Sequence, residues 1–193
     1  MEDRSGLMPN FENIVLIGFM GTGKSVVGRA LARNLSALHL DTDAEIVREA
    51  GKPIPRIFSE DGEEAFRAWE KSMLTRLVFS SRRSSKNGPP LMISTGGGTP
   101  LSSENTTLLR EIGTIVWLQA SPPSILSRVS RALSERPLLA GYQNNPLARI
   151  EQLLAERTPY YAALADLSLD TSECDGPDDV AQRILSILNN HAT

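Results

Sequence analysis

Lys24 and Ser25 close the stretch Gly18-Phe19-Met20-Gly21-Thr22-Gly23-Lys24-Ser25, in which the glycines let successive backbone N–H groups curl around an anion. The order G-x-x-x-x-G-K-[ST] suits the phosphates of a nucleoside triphosphate such as ATP. Lys24 offers a point charge to the outer phosphates, and the Ser25 hydroxyl can ligate Mg²⁺. Gly21, Thr22, Gly23, Lys24, Ser25 and Val26 are the expected nucleotide-binding positions. A glycine-rich turn that binds nothing is the bland alternative. The flanks weigh against it: Ile14-Val15-Leu16-Ile17 reads as a strand, and Val26, Val27, Ala30, Leu31 and Leu35 follow at helical spacing. A helix begun there points its N-terminal dipole at the phosphates.

Asp41-Thr42-Asp43 offers two carboxylates. One can hold a metal through water while the other accepts a proton from an incoming hydroxyl; the competing use is a helix cap, because Thr42 and Asp43 open the next helix. Gly96-Gly97-Gly98 suggests a close approach of backbone to ligand, with a flexible turn as the alternative. Arg67 and Glu70 lie three apart and can pair on a helix face, as solvated residues also do. Arg157 precedes Thr158-Pro159-Tyr160-Tyr161, and Arg136 sits in a polar stretch, 131–145, whose composition suits a mobile flap. Arginine forks match carboxylates and phosphates. With Asp43 around a glycine-lined cleft, they fit a small hydroxylated carboxylic acid as phosphoryl acceptor. Phe58, Phe66, Trp69 and Trp117 read as core or pocket wall, His39 as a strand residue with a satisfied ring, and Cys174 as inert.

The elements that must hold these groups are five short apolar runs, 14–17, 37–40, 91–94, 114–118 and 167–169, separated by helical patterns at 24–35, 63–79, 102–112, 124–131, 146–161 and 177–188. Strands alternating with helices imply parallel β-α-β units and a sheet covered on both faces, with ligands beyond the carboxyl ends of the strands. The first three runs lead into the phosphate loop, the Asp pair and the triple glycine; 119–122 reads as a plain helix start and 80–90 as a solvated connection.

Length and charge bound the rest. A chain of 193 residues supports one good core, here expected as a single domain over 13–190 behind a flexible tail, 1–12. A net charge of −3 argues against general binding to nucleic acid or to membrane surfaces. No apolar run approaches a membrane span, and the N-terminus lacks the apolar core of a secretory signal. One cysteine can form neither an internal disulfide nor a cysteine-based metal site, which suits a reducing cytoplasm. A cytoplasmic monomer with a small-molecule partner is the expectation.

Taken in order, the loop 18–25 with Gly28, Asp41-Thr42-Asp43, Ile57-Phe58, Gly62-Glu63, Phe66-Arg67-x-x-Glu70, Ser94-Thr95-Gly96-Gly97-Gly98, Arg136-Pro137-Leu138-Leu139 and Arg157 with Tyr161 resemble the shikimate kinase family over about 13–188. The resemblance implies an α/β, three-layer P-loop kinase fold of the nucleoside-monophosphate-kinase type: a five-stranded parallel sheet, a helical substrate-binding region at about 42–80 and a lid at about 131–145. It implies transfer of the ATP γ-phosphate to the 3-hydroxyl of shikimate. Asp43 would hold and deprotonate that hydroxyl, and Arg67 and Arg157 would bind the carboxylate, with Glu70 steadying Arg67. Gly96, Gly97, Gly98, Phe58 and Phe66 would line the acid site. Ser25 and Asp41 would hold Mg²⁺, and Lys24 and Arg136 would contact the transferring phosphate. Adenine would lie against Arg128 or Arg131, near a segment, 171–177, in which Glu173 and Asp175 depart from the family's basic or neutral residues. The 80–90 stretch looks like an insertion. Rival readings are a gluconate kinase of the same fold, a nucleoside-monophosphate kinase, and a nucleotide-binding regulator without catalysis.

Overall fold

Five parallel strands form the centre of the computed structural model, which describes residues 13–83, 89–130 and 145–191. They are β1 (Ile14–Ile17), β2 (Leu38–Asp41), β3 (Leu91–Ser94), β4 (Thr114–Gln119) and β5 (Leu167–Asp170), in the order β2-β3-β1-β4-β5. Helices α1 (Lys24–Leu35), α2 (Thr42–Ala50), α3 (Ile54–Glu60), α4 (Glu63–Arg83), α5 (Ser103–Ile112), α6 (Pro122–Val129), α7 (Pro146–Leu164) and α8 (Pro177–His191) connect and cover them.

The central strand explains the layers. All four residues of β1 are buried, as a strand covered on both faces requires. Val15 and Ile17 join a core with α4, α5, α6 and α7 through Met73, Leu74, Leu109, Ile125 and Ile150. Ile14 and Leu16 face the opposite core, built from α1 and α8 through Val27, Leu31, Val180 and Ile184. A third cluster, Ile46, Ile57 and Phe66, packs α2, α3 and α4 against one another beside the sheet. Truncating a fully buried residue such as Leu16 to alanine would cost about 2–5 kcal/mol. β1 therefore ends at a rigid point, and the phosphate loop starts there.

Several boundaries differ from the sequence expectation by one to four residues, four of them for a visible local reason. The second strand is Leu38–Asp41 rather than 37–40, because Ser36 adopts a left-handed conformation (φ 50°) that ends α1 and directs the Ala37 N–H back to the Ala32 carbonyl. Residues 80–83, expected in a connection, continue α4; Ser81 spans a turn of helix by donating to the Val78 carbonyl. The apolar series Met73, Leu74, Leu77, Val78 carries the helix past its low-propensity serines. Helix α6 begins at Pro122 rather than 124, with Ser121 as its N-cap. Gln119, expected in a plain helix start, belongs to β4 and pairs with Asp170. The tail, 84–88 and the flap lie outside the described residues, apart from Asn145, which caps α7.

Candidate active site

The phosphate loop turns tightly between β1 and α1. Gly21 and Gly23 adopt φ of 76° and 93°, where a side chain is strained. The Lys24 ammonium donates to the Gly18 and Phe19 carbonyls at 2.9 and 2.8 Å, so the charge is held against the loop itself. Thr22 is buried and donates to Phe19 O at 2.8 Å, whereas Val26 stands on the exposed side of α1. Beneath the loop, His39 Nε2 lies 3.0 Å from Ser94 Oγ, which donates to the Lys24 carbonyl at 3.0 Å. Burial pushes the His39 pKa below its usual value, with Asp41 pulling the other way.

Asp41 performs both tasks that its sequence position allows. Oδ1 caps α2 by accepting from the Asp43 and Ala44 amides at 3.1 and 3.2 Å, while Oδ2 accepts from Ser25 Oγ at 2.5 Å. The hydroxyl and the carboxylate thus meet beside the phosphate loop. An all-oxygen pair of this kind suits a hard divalent cation. Among the described residues there is no cluster of three or more His, Cys, Asp or Glu that could cage a metal, so a cation here would complete its shell with water or phosphate oxygens.

Asp43 sits in the first turn of α2, with Oδ1 buried against the glycine segment; a Cβ on Gly96 would come within 2.6 Å of it. Thr42 Oγ1 accepts the Gly96 amide at 3.3 Å. Two residues on, a Cβ on Gly98 would lie 2.9 Å from Arg67 Nη1. The glycines therefore let the chain pass close to Asp43 and Arg67 in succession.

Arg67 pairs with Glu70 at 2.6 Å and with Glu63 at 2.9 Å. Burial works against its charge, and the Glu70 carboxylate, with Glu63, more than restores it, so the Arg67 pKa stands above the ordinary value. Glu70 is 2% exposed and takes a second hydrogen bond from Thr99 Oγ1 at 2.6 Å. Phe66 lies under the Arg67 guanidinium at 5.6 Å and against Phe58 at 4.8 Å.

Arg157 lies within α7 and is 8% exposed, its guanidinium 5.6 Å from the Phe19 ring centroid. One turn later Tyr161 donates to the Gly97 carbonyl at 2.6 Å. Burial raises the Tyr161 phenol to about 12, against the opposing pull of Arg157. A cleft of about 140 Å³ opens next to them, between Phe19, Thr22, Trp117, Gln119, Leu154 and Thr158.

On the far side of the loop, Arg128 donates to Gly21 O at 3.3 Å and to Thr171 Oγ1 and O at 2.9 and 2.7 Å. Arg131 and Arg136 lie outside the described residues. Thr99 and Asn105 had no sequence signal as site residues, and Thr171 had one only as the start of the 171–177 segment; all three are common turn or cap types, and the Glu70 and Arg128 partners of Thr99 and Thr171 lie 29 and 43 residues away. Thr171 also marks a fifth strand edge that meets the loop, through a 3.4 Å contact with Thr22 O.

The sequence profile of the shikimate kinase family matches residues 20–189. The shikimate kinase of Neisseria meningitidis serogroup C is 40% identical over 168 residues, covering 86% of this chain and 92% of that protein. That of Desulforudis audaxviator is 48% identical over 159 residues, covering 82% and 77%. The structure of shikimate kinase from Acinetobacter baumannii in complex with shikimate aligns with a TM-score of 0.83 at 35% identity over 94% of each chain. A gluconokinase from Sinorhizobium meliloti aligns with a TM-score of 0.58 at 18% identity, covering 94% of this chain and 93% of its own, a likeness of P-loop kinase fold alone. On its own sequence and fold, this chain belongs to the shikimate kinase family.

Proposed function

We infer that this chain transfers the γ-phosphate of ATP to the 3-hydroxyl of shikimate, giving shikimate 3-phosphate and ADP on the route to chorismate and the aromatic amino acids. The observation that carries the reading is the meeting of Asp43 and Arg67 with one glycine segment, which Tyr161 ties to the helix of Arg157, beside a phosphate loop. Shikimate is a hydroxylated carboxylic acid, and the site offers it two arginines for the carboxylate and one carboxylate for a hydroxyl.

In this reading, α2, α3 and α4 form the acid-binding side. Arg67, held by Glu70, and Arg157 bind the substrate carboxylate, with Phe58 and Phe66 as the wall and Gly96, Gly97 and Gly98 as the floor. Asp43 accepts the proton of the 3-hydroxyl as its oxygen attacks the γ-phosphorus; the bond to the β-phosphate oxygen breaks and ADP departs with those electrons. Lys24 neutralises charge on the transferring group, and the loop amides hold the phosphates. Ser25 and Asp41 would hold Mg²⁺, which supplies charge neutralisation at the phosphates when bound. By the family pattern Arg136 would add charge there, and Arg128 or Arg131 would flank the adenine. A reducing cytoplasm suits a chain with one cysteine, and a monomer completes the reading.

Release of ADP from ATP·Mg²⁺ should rise strongly with shikimate and stay at background with gluconate or quinate. Stimulation by gluconate instead would move the substrate while keeping the kinase. Asp43→Asn should keep ATP affinity while lowering turnover about 10²–10⁴-fold, the usual weight of a positioned base. An unchanged kcat in that variant would remove Asp43 from the proton transfer.

A further inference from the structure

Thr99 and Tyr161 carry buried hydroxyls that the transfer itself does not use, and each is at most 1% exposed. Thr99 Oγ1 donates to Glu70 Oε1 at 2.6 Å, while Arg67 Nη1 occupies Glu70 Oε2 at 2.6 Å. A carboxylate gripped at both oxygens cannot turn about its last torsion, so its guanidinium partner inherits a fixed direction. Thr99 is itself fixed, because its carbonyl accepts from the buried side-chain amide of Asn105 at 3.2 Å. Gly98, the residue before it, lies so close to the Arg67 guanidinium that a Cβ there would come within 2.9 Å of Nη1.

Tyr161 works from the other side. It lies one turn beyond Arg157 on α7 and fastens that turn to Gly97 O at 2.6 Å. Residues 97, 98 and 99 therefore carry in succession the tie to the helix of Arg157, the wall against Arg67 and the clamp on Glu70. Both arginines are referenced to the same three residues of main chain.

We propose that Thr99 and Tyr161 are positioning residues: acting through residues 97–99, they set the direction and separation of Arg67 and Arg157, and with them the preference for an acceptor that bears a carboxylate. The proposal rests on the reading that these two arginines bind the acid. Neither hydroxyl touches substrate; each acts through another group.

The test compares shikimate with its uncharged methyl ester in steady-state kinetics for Thr99→Val, Thr99→Ser, Tyr161→Phe, Arg67→Lys and Arg157→Lys. Thr99→Val and Tyr161→Phe should raise the KM for shikimate about tenfold, the loss expected when a hydrogen bond supporting a charged group is removed. The KM for ATP and kcat should hold, and the preference for acid over ester should shrink. Thr99→Ser should restore the native values. If both lysine variants lose the preference while Thr99→Val and Tyr161→Phe keep it, the positioning role is overturned and the carboxylate reading stands. If the lysine variants also keep it, both are overturned. A Thr99→Val variant in which kcat falls and the KM for ATP rises together, without rescue by serine, shows a merely structural residue and overturns the proposal as well.

Discussion

Neighbouring glycines in one segment make different kinetic predictions, because each lies against a different side chain. A Cβ at Gly96 would press on Asp43 Oδ1 and one at Gly98 on Arg67 Nη1, at 2.6 and 2.9 Å. Gly96→Ala should therefore lower kcat by displacing the base, whereas Gly98→Ala should raise the KM for shikimate and spare kcat. At Gly97 the closest neighbour is Gly18 O at 3.4 Å, ordinary contact that an alanine can meet with little movement. Steady-state kinetics on the three variants checks this; the same effect from all three would mean that the segment acts only through its flexibility. At this scale the sequence was informative where partners are close along the chain or share a motif. Arg67 and Glu70 lie three apart on one helix face, and Asp41 caps a helix that it visibly precedes. The Thr99 clamp on Glu70 and the Arg128 bridge from Gly21 to Thr171 join residues 29 and 43 or more apart, and nothing in a single chain's residue types marks such pairs.

Helix α1 bears on the sheet at a glycine. A Cβ at Gly28 would meet the His39 ring at 2.6 Å and Ser94 Oγ at 2.7 Å, the residues beneath the phosphate loop. Alanine is the better helix former by about 1 kcal/mol, yet overpacking a tight contact costs about 1–3 kcal/mol, so Gly28→Ala should be neutral to destabilising. It should also raise the KM for ATP by shifting Lys24 and Ser25. Urea unfolding with ATP kinetics measures both; a stabilised variant with native ATP affinity would show that the helix can lift away freely. Strands and long amphipathic helices were legible because period and composition agreed over many residues. The short α3 was not expected, since its seven residues from Ile54 to Glu60 carry one buried side chain, Ile57, and no periodic stripe. Its ends are secured instead by Lys52, which pairs with Glu60 and Asp61.

At the scale of the molecule, stability should fall on mild acidification. His39 has a folded pKa below the 6.5 of the free side chain, chiefly from burial, so the unfolded chain binds its proton first. Its contribution is present above 6.5 and is lost as the pH falls from there through the folded pKa. Urea unfolding about one pH unit either side of 6.5 should show the loss, and His39→Gln should flatten it; an equal slope in both proteins would assign the effect to other groups. The parallel sheet covered on both faces was legible from the alternation of elements, but the order β2-β3-β1-β4-β5 was not, because it depends on which side of β1 each crossover returns to. That order has a consequence for folding. The phosphate-binding segment precedes β3 and β4 in the chain, yet β1 needs both as neighbours, and the loop is braced by Thr171, 149 residues beyond Thr22. A chain clipped before Leu167 keeps the motif but loses β5 and the Thr171 brace, so the loop's residues alone do not make the site.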